Sequence, residues 1–308
     1  MLTRSKRAQA KAEAEARDNV ASWYSLPVEI HLQILGYLLD DDQLPTYASV
    51  CGEWQSIVEV KTFRRLKLRT VSCIDRLAKI VRARTLVKHV WLHIELHRYD
   101  CTDCEDEEEE WIGERNNSTV SEAIRRLLKV LSRWETPLTL EISAQSPSDS
   151  EHWFQTQYYG ADNEDLETEI DNQQQEATAK WWSDQEHGWA GGRGIVLAEA
   201  SALSRVYNNI HLHKGGEWPK AHAVTGFTMR RQFRRRLTAQ SLRLLLTKLP
   251  SLQCMTYETW QHPENVWRMM HDWPAVDVWQ TLEDHGKLII LSWPPFGSRK
   301  ATNKGNRA

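Results

Sequence analysis

Cys101 and Cys104 form a C-x-x-C, and His93 and His97 lie just upstream. Two thiols and two imidazoles are a donor set that zinc takes in structural sites. The geometry expected of this segment argues against a metal. His93 and His97 fall on a stretch of strand periodicity, where side chains four residues apart are separated by about 13 Å. Only three residues lie between His97 and Cys101, short of the usual spacer between ligand pairs. The reading is therefore two surface-loop thiols and no metal. A redox C-x-x-C opens a helix after a strand and depends on a lowered thiol pKa. The acidic run from Glu105 to Glu110 follows Cys104 directly and opposes a thiolate.

Other chemical candidates are weaker. Trp189-Ala190-Gly191-Gly192-Arg193-Gly194 precedes a helical pattern but lacks the Gly-Lys-Ser/Thr ending of a phosphate loop and the spacing of a dinucleotide loop. It reads as a flexible loop closing an insertion. Arg230, Arg231, Arg234, Arg235 and Arg236 cluster near Phe227 and Phe233. A nucleic-acid site needs phosphate-neutralising residues on one face with stacking aromatics; this cluster is short, and the acidic run offsets it. A solvated loop face and a patch reading acidic or phosphorylated protein segments both remain open. No serine–histidine–carboxylate set, paired-carboxylate motif or nucleophile elbow stands out. The expectation is a chain that is not an enzyme and takes no cofactor.

The elements that would position these residues are helices alternating with strands. Val71, Ile74, Leu77, Ile80 and Val81 fit a helix. Val90, Leu92, Ile94 and Leu96 then alternate with Trp91, His93, Glu95 and His97, which is strand periodicity. A second helix, Val120 to Trp134, carries Ile124, Leu127, Leu128 and Leu131 on one face, and a strand follows with Leu138, Leu140 and Ile142 opposite Thr139, Glu141 and Ser143. The order recurs as a helix near Ile195–Ser204 with a strand holding Ile210 and Leu212, opposite His211 and His213. It recurs again as a helix from Leu242 to Leu249 with a strand from Leu252, and Lys287–Trp293 has the pattern of a last strand. Units that cannot bury their apolar sides alone stack into arrays. The fold class expected is α/β: an irregular leucine-rich-repeat-like solenoid of parallel strands, with an open, non-repeating α/β sheet as the competing architecture.

The total charge of −3 implies neither nucleic acid nor an anionic membrane as partner. No apolar run is long enough to span a bilayer, and the first residues lack the apolar core of a secretory signal. Five cysteines, an odd number in a long chain, suit reduced thiols and an intracellular home, cytoplasm and/or nucleus. Fifteen tryptophans point to an aromatic-rich core or to displayed binding aromatics. Residues 1–20 read as a polar tail whose Arg4, Lys6, Arg7 and Lys11 are either solvated or a nuclear address, and residues 294–308 read as a disordered tail.

The stretch from Ser25 to Leu68 stands apart. Pro27 suits a first helical turn, and Glu29 suits the helix start. Ile30, Ile34 and Leu38 make one apolar stripe, and Asp40-Asp41-Asp42 breaks it. Leu44, Tyr47, Cys51, Trp54 and Val58 continue at helical spacing, with Phe63, Leu66 and Leu68 closing the stretch. Three short helices cannot bury that much apolar surface among themselves.

Leu-Pro-Val-Glu-Ile at 26–30, Ile34, Leu38, Val50-Cys51, Trp54 and Phe63 before Leu66 resemble an F-box, which would occupy residues 21–68. Gly52 departs from the pattern, which usually has a basic residue there. Beyond it, VWLHIELHRYDCTDC, LTLEISAQSPSDSEHWF and LPSLQCMTYETW resemble the divergent repeat region of fungal F-box proteins, a resemblance that ends near residue 265, and the repeat-like region would occupy residues 69–293. The resemblance implies docking on a Skp-type adaptor and through it a cullin scaffold, with Leu26, Pro27, Ile30, Ile34, Leu38, Leu44, Val50, Cys51 and Trp54 as the docking set. Trp54 would be the internal post, and Leu26 and Pro27 the outward contacts. The repeats would read an unknown target protein through the open sheet face, which nominates His93, Glu95, Thr139, Glu141, His211 and His213. The implied function is substrate recognition for a ubiquitin ligase, with an adaptor-binding scaffold as the alternative and a zinc protein or stand-alone enzyme behind both.

Overall fold

The computed structural model describes residues 26–34, 44–155, 183–258 and 288–290, apart from Val28, Leu32, Val81, Gly192, Arg231 and Gln232. The polar-tail and disordered-tail expectations lie outside the described residues. The chain divides into two units, Met1–Arg64 and Arg65–Ala308.

In the first unit the carbonyl of Pro27 accepts from the amides of Ile30 and His31, at 3.0 and 3.2 Å, which starts a helical turn. Glu29, Ile30, His31, Gln33 and Ile34 are helical. Helices α1 (Leu44–Ala48) and α2 (Gly52–Arg64) follow. Gly52 is the first residue of α2, so the cost of glycine inside a helix does not fall on this position. Val58 is buried, and buried His31 lies 3.3 Å from Glu53 Oε1 on α2.

The second unit runs β1 (Arg65–Leu68), α3 (Val71–Lys79), β2 (His89–Glu95), α4 (Glu110–Leu131), β3 (Leu138–Gln145) and α5 (Pro147–Glu151). It continues with β4 (Ser183–Asp184), β5 (Trp189–Ala190), β6 (Arg193–Gly194), α6 (Ala200–Val206), β7 (Val224–Met229), α7 (Ala239–Leu246), β8 (Cys254–Tyr257) and β9 (Leu288–Ile290). Six strands form one sheet in the order β1-β2-β3-β7-β8-β9, every described pairing parallel. The fold is thus mixed α/β with a parallel sheet. The short β4, β5 and β6 make a separate antiparallel sheet.

The alternating apolar residues form the core as expected. Val90, Leu92 and Ile94 of β2 and Leu138, Leu140 and Ile142 of β3 are buried, as are Ile74 and Leu77 of α3 and Ile124, Leu127, Leu128 and Leu131 of α4. The β3–β7 register slips between Leu138 and Thr139, leaving Gly226 against Thr139; a Cβ at Gly226 would lie 2.6 Å from Thr139 Oγ1.

Two expectations are corrected here. The strand expected at Ile210 and Leu212 is absent from the sheet: Ile210 makes only an isolated bridge to Leu237. Side chains take the place of a ladder, with Asn117 Oδ1 accepting from His211 N, Ser121 Oγ from His213 N and Ser241 Oγ from Leu212 N. The strand at that place is β7. Helix α4 also starts ten residues before Val120, through a polar stretch of weak helix formers. Its Asn116 is buried because Oδ1 accepts from His97 N at 2.9 Å while Nδ2 donates to Glu108 at 2.8 Å.

Glu108 shows what the acidic run and the arginine cluster do. Arg235 donates to both its oxygens, at 2.9 and 2.8 Å, and Asn208 adds a third donor at 2.6 Å. Both side chains of the pair are 3 % exposed. Burial pushes the Glu108 carboxyl up, but Arg235, Asn208 and Asn116 outweigh it and hold the group below the usual range. The arginines are therefore not one solvated face: Arg235 is a buried anchor, and Arg234 lies near the rings of Phe154 and Tyr207. Among the described residues no helix is long and apolar enough to cross a membrane.

Replacing Arg235→Met strands a buried carboxylate and should lower unfolding free energy by about 3–5 kcal/mol, read by urea titration. The double variant Glu108→Gln, Arg235→Met should recover much of that loss.

Candidate functional site

Two surfaces carry the expected site residues, and each unit holds one. On the first, Ile30, Ile34 and Val50 are 37, 36 and 60 % exposed. Pro27 is exposed, while Leu26, Cys51 and Trp54 are half-buried. Trp54 packs at a tilt against Tyr47, ring centroids 6.3 Å apart. Leu44 opens α1; its side chain, like all of Leu38, lies outside the described residues. Among the described residues of this set, Ile30, Ile34 and Val50 thus face water.

The second surface is the polar face of the sheet. The parallel register sets Arg65 beside His89 and Thr139, and Lys67 beside Trp91, Glu141 and Thr228. Glu141 sits at the centre. His89 Nε2 lies 2.8 Å from its Oε2, Arg230 Nε donates to Oε1 at 3.0 Å, and Arg65 approaches to 3.7 Å. Burial raises the Glu141 carboxyl pKa, yet the hydrogen bond from His89 and the charges of Arg230 and Arg65 prevail and lower it. Trp91 lies beneath Lys67 Nζ, 4.1 Å from the ring centroid, and donates to Ser143 Oγ at 2.8 Å. Ser143 Oγ is also 2.9 Å from His93 Nδ1. With the indole N–H occupying the oxygen, the serine hydrogen is available to a neutral imidazole. Burial, then Lys67 and Arg69, pushes His93 down to about 4.

This face is less open than alternation implies. Of the nominated residues, Glu95 and His211 are exposed and Thr139 and His213 half-buried, while His93 and Glu141 are buried. Long cationic side chains and Trp91 lie over the strands, in keeping with parallel sheets being covered on both faces. His211 and His213 do not belong to the face at all, because their segment is outside the sheet. Arg65, Lys67, His89 and Arg230 lie outside the alternating sets read from the sequence, and Trp91 belongs to one of them but is not among the nominated residues. Four follow from the register once β1 pairs with β2, and Arg230 directly follows β7.

The C-x-x-C does not meet His93 and His97. It meets His152, just after α5, and His187, in the turn before β5; one donor atom from each of Cys101, Cys104, His152 and His187 lies within 4.8 Å of all the others. Cys104 is buried, contrary to two surface-loop thiols. The histidines are far away in sequence, and no spacing rule connects them to the cysteines.

In comparison with known proteins, residues 23–69 match the F-box-like family. No curated protein and no solved structure is similar to the chain.

The neutral state of His93 has a stability consequence. Its folded pKa lies below the ordinary 6.5, so its stabilisation is complete above that pH. The loss begins as the unfolded chain takes a proton near 6.5 and is complete near 4. Wild type should lose up to about 3 kcal/mol more than His93→Gln across this window, read by urea midpoints at stepped pH.

Proposed function

We propose that the chain, which carries an F-box-like domain at residues 23–69, is a non-catalytic substrate-recognition subunit of a Skp–cullin–F-box ubiquitin ligase. F-box domains bind Skp-type adaptors, and the observation that carries the reading is the exposed apolar set Ile30, Ile34 and Val50 on this domain. Branched aliphatic side chains gathered on short helices are stabilised by removal from water, which a partner protein supplies. The adaptor would in turn connect to a cullin. The chain's contribution would then be proximity, holding a target's lysines near an activated thioester held elsewhere in the complex.

The second unit is the target-reading half in this proposal. Support comes from the strand order, in which each strand of the large sheet neighbours the strand next in sequence apart from the short inserted sheet. That succession is what an irregular leucine-rich-repeat-like solenoid would give. Its polar face carries more cations than carboxylates around Glu141 and Trp91, which suits an acidic or phosphorylated segment. A second reading is an F-box scaffold that binds the adaptor without delivering targets. The burial of His93 and Glu141 within that face favours it.

The adaptor step is tested by co-elution of the purified chain with a Skp-type adaptor. Ile30→Glu with Ile34→Glu should weaken binding about 100-fold or more while leaving the circular dichroism spectrum unchanged. Undiminished binding by this variant would sink the docking assignment. Affinity capture under proteasome inhibition then separates the two readings: a receptor brings down cullin together with a protein that accumulates, and a scaffold does not.

A further inference from the structure

We propose that Cys101, Cys104, His152 and His187 form a tetrahedral Cys2His2 zinc site that fastens three separate segments of the second unit together. The inference is independent of the ligase reading.

The donors converge without help from a local motif. A 3-10 turn at Cys101–Asp103 brings the thiols to one side, with Cys104 N donating to Cys101 O at 3.3 Å. His152 follows α5, after a capping box in which Ser146 and Asp149 fix the start of that short helix. His187 ends the 3-10 turn between β4 and β5, where Gly188 at φ 68° reverses the chain. Gly188 has no room for a side chain, because a Cβ there would lie 2.7 Å from Val196 Cβ. Cys101 Sγ and His152 Nδ1 each stand 3.2 Å from His187 Nε2, and all four donor atoms fall within 4.8 Å of one another. A zinc ion with bonds of about 2.0–2.3 Å sets its ligands roughly 3.3–3.8 Å apart. The cluster needs only small side-chain adjustments to reach that spacing.

The hydrogen-bond chemistry points the same way. His187 Nδ1 is 2.8 Å from Asp184 Oδ2, and a carboxylate can only accept there. The proton on Nδ1 leaves Nε2 as a bare lone pair aimed into the cluster, with both Cys101 and His152 against it. One lone pair takes one hydrogen, whereas a cation takes electron pairs from every group at once. A carboxylate behind a histidine ligand is also the usual orienting partner of a zinc-bound imidazole. Gln155 in turn holds Asp184 Oδ2, at 2.5 Å.

Apolar and aromatic side chains shield the inner side of the cluster, where Cys104 and His187 are buried, while Cys101 is exposed. Tyr99, Trp153, Phe154, Ala202 and Val206 pack with Cys104 as one buried cluster. Tyr99 stacks on His152 at 5.5 Å, and Trp153 meets His187 edge-on at 5.8 Å. Four protein donors and no open position describe a structural site, and the S2N2 set selects zinc among available divalent ions.

The test is metal analysis of the tag-free full chain, with cobalt as a spectroscopic probe. About one zinc per chain is expected, and replacement by cobalt should give tetrahedral d–d bands with thiolate charge transfer. Cys104→Ser and His187→Ala should lose the metal, and His93→Ala should keep it. Because a ligand variant can also unfold the unit, Asp184→Asn supplies a folded control and should weaken zinc by about 10–100-fold in a chelator competition. A metal-free chain that gives no tetrahedral cobalt spectrum overturns the proposal. So does zinc that persists in Cys104→Ser, or that leaves with His93→Ala.

Discussion

The buried pair of Glu108 and Arg235 is the constraint on which much of the second unit rests. A carboxylate and a guanidinium removed from water are tolerable only when the geometry is bidentate and the leftover lone pairs are filled. Here Asn116 and Asn208 fill them. Each donor comes from a different stretch of chain, so the pair ties the acidic loop, the start of α4, the segment after α6 and the arginine-rich segment after β7 to one point. Arg205 reinforces the same loop by donating to the carbonyls of Asp103, Asp106 and Glu107 while its guanidinium lies 4.5 Å over Tyr99. A loop rich in like charges is thereby held in a single course. Cys101, Cys104 and Tyr99 take their positions from that course.

Both units leave some large apolar side chains exposed, Ile195, Val196 and Leu197 of the second among them, but they treat polar residues differently. The second encloses even its polar residues, and its α4 spends Asn116, Asn117 and Ser121 on backbone amides that have no strand partner. The first leaves Ile30, Ile34 and Val50 in water. The proposal of an external partner for the first unit therefore rests on where its exposed aliphatics lie, within the F-box-like match at residues 23–69, and not on exposure alone.

Much of the scaffold was legible because it rests on local periodicity. The alternation of β2 and β3, the apolar stripe of α4 and the Leu-Pro-x-Glu-Ile start each depend on neighbours within a few residues. What escaped depends on distant residues. β7 is hard to read from sequence because Gly226 interrupts its apolar alternation at the register slip, and Phe227 sits beside the arginine cluster. Ile210 and Leu212 look like a strand, yet their amides are met by helix side chains. Charge content gave no hint that Glu108 and Arg235 would be buried, since a run of glutamates and a run of arginines both read as solvated until they are paired. His152 and His187 reach Cys101 and Cys104 only through the folded sheet.

The strand order bears on how the protein is made. A sheet whose strands are added in the order of translation can assemble as the chain leaves the ribosome, each strand docking on an edge already waiting for it. One step breaks that rhythm. After Gln145 completes β3, the edge of the growing sheet stays uncovered until Val224 arrives. Closing so long a loop costs only slightly more entropy than closing a short one, but the exposed edge must wait for synthesis. An edge left open over that interval would give a chaperone or a second nascent chain access to β3.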